Sequence, residues 1–381
     1  MADDRPIYLD HNATTPVEHE VAEAMRPYLE EHFGNPSSAH AYGRRAREAV
    51  ETARGQVASL IGCSPGEIVF TSGGTESNNL AIRGAAAGRG GLSIVTTAIE
   101  HPAVSETVGA LRDEGAEVAV VPVDTDGLVD PADVERALRP GTSLVTVMHA
   151  NNEVGTIQPI EEIGRAARAR GVTFHTDAAQ SAGKIPVDVG RLGVDLLTIA
   201  GHKLHAPKGV GALFVREGVA LRRVLHGAGQ EAGRRPGTES VPLIVGLGAA
   251  CGIARRDLEG ASAAMRATRD RLFDGLRAAL DGIRLNGHPS RRLPNTLSVG
   301  FLNVEAGEVL ARLDGVAASA GAACHAGRTR VSAVLKAMRV PPGYAAGTIR
   351  FSTGRRTTAA EIDRAVGEIV AVVRSLRGAA R

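Results

Sequence analysis

The chain contains no tryptophan, and aromatic residues make up only 3% of its 381 positions. So few rings offer no base-stacking surface, and a net charge of +2 leaves no broad basic footprint for nucleic acid. Arginine-rich stretches such as Arg44-Arg45-Ala46-Arg47 fall within helical patterns and read as solvated faces. Three cysteines, Cys63, Cys251 and Cys324, are too few and too scattered for a disulfide framework or a zinc site. No metal is therefore expected, and a reducing compartment is. No apolar run is long enough to span a bilayer, and no signal-type stretch follows the charged N-terminus, so the expectation is a soluble, cytoplasmic protein without a membrane or nucleic-acid partner. Lysine is nearly missing too. Only Lys184, Lys203, Lys208 and Lys336 occur among 44 lysines and arginines. Wherever charge alone was needed the chain uses arginine, so a retained lysine invites a chemical reason: an amine forms a Schiff base and a guanidinium does not.

Lys203 follows the apolar run Leu196 to Ala200, and Asp177 closes a strand-like run, Thr173 to Asp177. Taken singly, a lysine after a strand is usually a solvated loop residue and an aspartate there a helix cap. Together, at the ends of two strands of one sheet, they form the pair that pyridoxal phosphate requires: an amine for the aldehyde and a carboxylate that keeps the pyridine nitrogen protonated. Upstream, the strand pattern Glu67 to Phe70 runs through Thr71-Ser72-Gly73-Gly74-Thr75 into a helical pattern, which is a phosphate cradle. Its bland counterpart is an ordinary capped turn. With no lysine after the glycines it is not a nucleotide loop.

Strand-like runs alternate with helical patterns from about residue 67 to 216, which predicts an α/β fold around a covered, mainly parallel sheet. Expected strands include Leu92 to Thr97, Glu117 to Val123, Ser143 to Ala150, Leu196 to Gly201 and Gly211 to Arg216. Helical spacing from Val241 to about Leu280 suggests a bridge to a smaller α+β domain with strands at Asn295 to Phe301, Val316 to Ala320 and Thr348 to Ser352. The expected boundaries are 16–255 for the large domain, and 1–15 with 256–381 for the small one. Cys324 lies in Gly321-Ala322-Ala323-Cys324-His325-Ala326-Gly327, where small residues leave a thiol accessible and His325 can favour the thiolate. A cysteine in such a run is also often no more than a small residue that fits.

The stretches Leu9-Asp10-His11-Asn12-Ala13-Thr14-Thr15-Pro16, Thr71 to Asn79, His149-Ala150-Asn151-Asn152-Glu153, His175-Thr176-Asp177-Ala178-Ala179-Gln180 and Gly201-His202-Lys203 resemble, in order and over nearly the whole chain, those of NifS/IscS-like cysteine desulfurases of the class V aminotransferase group. The resemblance implies a homodimeric, fold-type I pyridoxal phosphate enzyme with a seven-stranded-type sheet in its large domain. It implies conversion of L-cysteine to L-alanine and transfer of the sulfur, through a persulfide on Cys324, to an acceptor protein such as an iron-sulfur scaffold or a thiolation enzyme. In that scheme Lys203 holds the cofactor, Asp177 pairs with the ring nitrogen, His101 stacks on the ring and moves protons, and Gln180 bonds the phenolic oxygen. Gly74, Thr75 and His202 bind phosphate, with Thr238 supplied by the neighbouring subunit; Asn152 touches cofactor and substrate, and Arg350 and Asn12 complete the substrate site. Ala200 stands where many relatives carry a phosphate-binding serine. Gly321 to His325 and Arg235-Pro236-Gly237-Thr238-Glu239 resemble selenocysteine lyases as closely, so L-selenocysteine is the alternative substrate, and another lyase or transaminase of this fold the alternative activity.

Overall fold

Runs buried on both faces build the centre of the molecule. The computed structural model describes residues 5–86, 92–320, 322–325 and 328–379, with backbone alone for 322–325 and 328–330. After a short entry strand, β1 (Ile7–Tyr8), the central sheet comprises β2 (Ile68–Thr71), β3 (Ser93–Thr97), β4 (Glu117–Val121), β5 (Leu144–Thr146), β6 (Thr173–Asp177), β7 (Leu196–Ala200) and β8 (Gly211–Val215). Their order is β2-β8-β7-β6-β5-β3-β4, with β8 alone antiparallel to its neighbours. Every residue of β7 and β8 is buried, which is why these strands read as continuous apolar runs rather than alternating ones.

Helices α1 (His19–Glu30), α2 (Ala41–Ile61), α3 (Gly74–Ala86) and α4 (Pro102–Asp113) flank the sheet. A 39-residue helix, Val241–Ala279, packs on α1 and α2 and then runs into the second core. Close approach to α2 depends on Gly248: a Cβ there would lie 2.6 Å from Cβ of Ala53. Residues Val241, Ile244 and Leu247 of this helix enter the core around the large sheet, and Leu272 and Leu276 enter the other.

The second part contains β9 (Ile283–Asn286), β10 (Thr296–Phe301), β11 (Val316–Ala317), β12 (Ser319–Ala320), β13 (Ala322–His325), β14 (Arg328–Val331) and β15 (Thr348–Ser352). Four of them form an antiparallel sheet in the order β12-β15-β10-β9. The single strand expected over Val316 to Ala320 is two: β11 pairs in parallel with β1, while β12 pairs with β15. One run divided between two partners cannot stay one strand. The pairing of β1 also places the N-terminal segment on this part, with Ile7 and Leu9 in its core beside Phe301, Phe351 and the final helix Ala359–Ala379. β13 and β14 form a backbone hairpin in which Cys324 stands opposite Thr329. The strand Ile283–Asn286 and this hairpin were not expected from the sequence.

Candidate active site

Parallel pairing of β6 with β7 sets Asp177 opposite Thr198, and the turn Gly201–Lys203 that follows β7 returns Lys203 to the same sheet edge. These two residues share a cavity of about 410 Å³ with Asn12, Gly74, Thr75, His101, Asn152, Gln180, Ala200, His202 and Arg350. The sequence-derived candidates therefore converge, with two exceptions. Thr238 is exposed and does not line the cavity of its own chain. The side chain of Cys324 lies outside the described residues.

The amine of Lys203 donates to the main-chain carbonyls of Asn12 at 2.6 Å and Ala13 at 2.7 Å. Burial, with Arg350 nearby, pushes its pKa down to about 8, against the opposing pull of Asp10 and Asp177. Asp177 is held at both oxygens: Asn78 Nδ2 donates to Oδ2 at 2.8 Å, and the Ala179 amide donates to Oδ1 at 2.9 Å. The carboxylate is thereby fixed without a salt-bridge partner among the described residues and remains available to a protonated ring nitrogen.

His101 caps α4, its Nδ1 accepting from the Ala103 amide at 3.1 Å, so a proton on the neutral ring sits on Nε2. Desolvation lowers its pKa, Asp177 works against that, and Lys203 adds to it. His202 bonds Thr14 Oγ1 through Nδ1 at 3.2 Å, and burial followed by Lys203 pushes its pKa down to about 4. Both rings are therefore neutral near pH 7. The first turn of α3 faces the cavity with Gly74 and Thr75, and a Cβ on Gly74 would lie 3.2 Å from the Ala200 methyl. A bulkier pair would close this approach. Glu76, one residue on, is held by Arg235 at 2.8 Å, which ties the segment preceding the long helix to the cradle.

Arg350, on β15, is the contribution of the second part. Its Nη1 donates to the Asn152 carbonyl at 3.0 Å and its Nη2 to Asp10 at 2.7 Å, while Nε is buried without a partner. The guanidinium lines the cavity and is aimed by protein groups, and its planar fork suits a carboxylate ligand.

Four supporting residues escaped the sequence reading. Asn78 holds Asp177, Asp10 holds Arg350, and Asn295 and Lys184 bond Asn12 Oδ1 at 2.9 and 3.2 Å. Asn78 and Asp10 lie inside motifs that were quoted, and Lys184 was one of only four lysines; each partner, however, is 99 or more positions away. Asn12 itself spends its whole carboxamide on the protein, since Nδ2 donates to the Asn152 carbonyl at 3.1 Å and to Thr296 Oγ1 at 2.8 Å.

The other two cysteines are poor nucleophiles. Burial, reinforced by Glu67, pushes the Cys63 thiol up to about 12, and complete burial does the same to Cys251.

The class-V aminotransferase profile matches residues 7–365. A cysteine desulfurase IscS of Anaeromyxobacter sp. (strain Fw109-5) is 49% identical over 98% of this chain and 93% of its own length. A solved NifS-like protein superposes with a TM-score of 0.91 at 39% identity, covering 97% of this chain and 99% of that one. A structure described as SspA in complex with cysteine superposes with a TM-score of 0.81 at 37% identity, covering 92% and 99%. Sequence and fold agree, and the chain belongs to the class-V aminotransferase family, among its NifS/IscS-like cysteine desulfurases.

Proposed function

We propose that this chain is a pyridoxal phosphate-dependent cysteine desulfurase, which converts L-cysteine to L-alanine and passes the sulfur through Cys324 to an acceptor protein. The observation that carries the reading is the placement of Lys203, Asp177 and Arg350 around one cavity with the first turn of α3. The donor set fits the cofactor: an amine with a lowered pKa for the aldehyde, an anchored carboxylate for the ring nitrogen, and a glycine-opened helix start for the phosphate. Thr75 and His202 would add phosphate donors, Gln180 would hydrogen-bond the phenolic oxygen, and His101 would stack on the ring; all four line the cavity. Thr238, exposed in its own chain, completes the phosphate site of a second copy in a homodimer.

When bound, pyridoxal phosphate supplies an electron sink for charge developing at the substrate Cα. Arg350 and Asn152 hold the substrate carboxylate, with Asp10 fixing the arginine and Asn12 fixing the loop that carries Asn152. Lys203, poised near pH 8, takes the proton from Cα and returns one to Cα after the carbon–sulfur bond has broken, the thiol proton going to Cβ. His101, neutral and oriented by its cap bond, holds or passes the thiol proton. The Cys324 thiolate attacks the substrate sulfur: the carbon–sulfur bond breaks, a sulfur–sulfur bond forms, and the carbon gains a proton. Cysteine and enzyme thiol thus become alanine and enzyme persulfide with no outside oxidant. The suppressed thiols of Cys63 and Cys251 support the assignment to Cys324.

The test is alanine formation from L-cysteine by the cofactor-loaded protein, with borohydride reduction locating the cofactor. Fixation on Lys203 and stoichiometric alanine are expected, both abolished in Lys203→Ala. Fixation without alanine contradicts the desulfurase reading, and turnover confined to L-selenocysteine assigns the alternative substrate.

A further inference from the structure

Lys184 is 5% exposed, and the chemistry above does not use it. It lies four residues after Gln180 in a turn where Ser181 and Ala182 both bond back to the Ala178 carbonyl, so the two side chains share a face. Its Nζ donates to Gln180 Oε1 at 2.9 Å and to Asn12 Oδ1 at 3.2 Å. A carboxamide has an accepting end and a donating end, and lysine has no acceptor to offer while charged and at most one when neutral. Holding Oε1 of Gln180 therefore turns Nε2 the other way, where it donates to the Asn12 carbonyl at 3.0 Å. That same carbonyl receives Lys203. Asn12 is oriented likewise, its Oδ1 shared by Lys184 and Asn295 and its Nδ2 turned toward Asn152 and Thr296.

We infer that Lys184 is a positioning residue that fixes the direction of the Gln180 and Asn12 carboxamides, and so presents Gln180 Nε2 to the cofactor's phenolic oxygen and the Asn12 carbonyl to Lys203. The inference rests on the cofactor reading given above. Burial, then Lys203 and Arg350, lower the Lys184 pKa well below its ordinary value, and its N–H donors match the two acceptors in reach.

A donor on the phenolic oxygen favours the deprotonated form of the lysine-bound cofactor, whose negative charge is the more localised. Releasing Gln180 therefore raises the pH midpoint of the visible band. Arg350, Asp10 and Asp177, the other charged groups acting on Lys203, are untouched by the substitution. In Lys184→Met, folded by circular dichroism and loaded with pyridoxal phosphate, the midpoint should rise by about one pH unit. In a Gln180→Ala background the same substitution should add little, because both changes remove one donor. An unchanged midpoint in Lys184→Met, or shifts that simply add, overturns the inference. If Lys184→Met does not fold, Lys184→Gln carries the same two readings, with a smaller rise expected. Wild-type protein that takes up no cofactor contradicts the functional reading instead. The crystal structure of the variant then decides: Gln180 displaced from the Asn12 carbonyl supports positioning, and Gln180 unmoved refutes it.

Discussion

Lys203 keeps its proton only below about pH 8, because burial and Arg350 outweigh Asp10 and Asp177. Capture of an aldehyde needs the free amine, so the rate at which cofactor-free protein binds pyridoxal phosphate should climb with pH and level off above about 8. Removing a neighbouring positive charge makes the ammonium less unfavourable. Arg350→Ala should therefore move that midpoint to higher pH, read by stopped-flow absorbance; a midpoint moved lower contradicts the charge assignment. Lys203 and Asp177 were legible in the sequence because each closes or follows a strand-like run and carries chemistry few other residues supply. Lys184 was visible as a rare lysine but not as a buried one, since its acceptor on Asn12 lies 172 positions away. Cys324 was picked out by its small neighbours and given its role by the family resemblance, and that role stays a proposal.

Among the elements, the segment preceding the long helix is fastened by Glu231, itself at a left-handed φ of 49° and 8% exposed. Its carboxylate takes Arg54 at 2.7 and 2.9 Å and the Phe70 amide at 2.7 Å, joining α2, β2 and the loop that leads to Thr238. Glu231→Ala leaves Arg54 half-enclosed and the Phe70 amide without its acceptor. A loss of about 3–5 kcal/mol is expected in urea unfolding, as when one partner is removed from a buried pair. A loss under about 1 kcal/mol marks the pair as a surface one. Strands Thr173–Asp177 and Thr348–Ser352 were bounded correctly from sequence because burial on both faces makes the run and the strand coincide. The paired strands Ala322–His325 and Arg328–Val331 were not: alanines give no alternation to read in the first, and arginine and threonine fill the second.

For the whole molecule, two cores share one 39-residue helix, and the cavity lies where Asn12 and Arg350 meet Lys203 and Asp177. The domain limits near residues 15 and 255 remain our proposal for how this joint divides. The protein also buries histidines that fold uncharged: His11 and His175 are pushed down to about 3 and His149 to about 4, each chiefly by burial. Below pH 6.5 the unfolded chain binds protons that these rings refuse, so stability falls as pH drops toward 4. Glu100, raised to about 8 by burial, and Glu153, raised likewise, act in the opposite sense, but burial lowers His101, His202 and His205 as well and leaves the histidines in the majority. Melting temperature should accordingly decline by several degrees between pH 6.5 and pH 4.5 in calorimetry, and a flat profile contradicts this account.

The central claim is that sulfur leaves cysteine onto Cys324. Its most direct test is mass spectrometry of the cofactor-loaded protein after one turnover with L-cysteine, beside Cys324→Ala and with alanine quantified. The account predicts one added sulfur on the Cys324 peptide, matched by alanine, and neither in the variant. Full alanine release by Cys324→Ala, or a sulfur carried on Cys63 or Cys251, contradicts it.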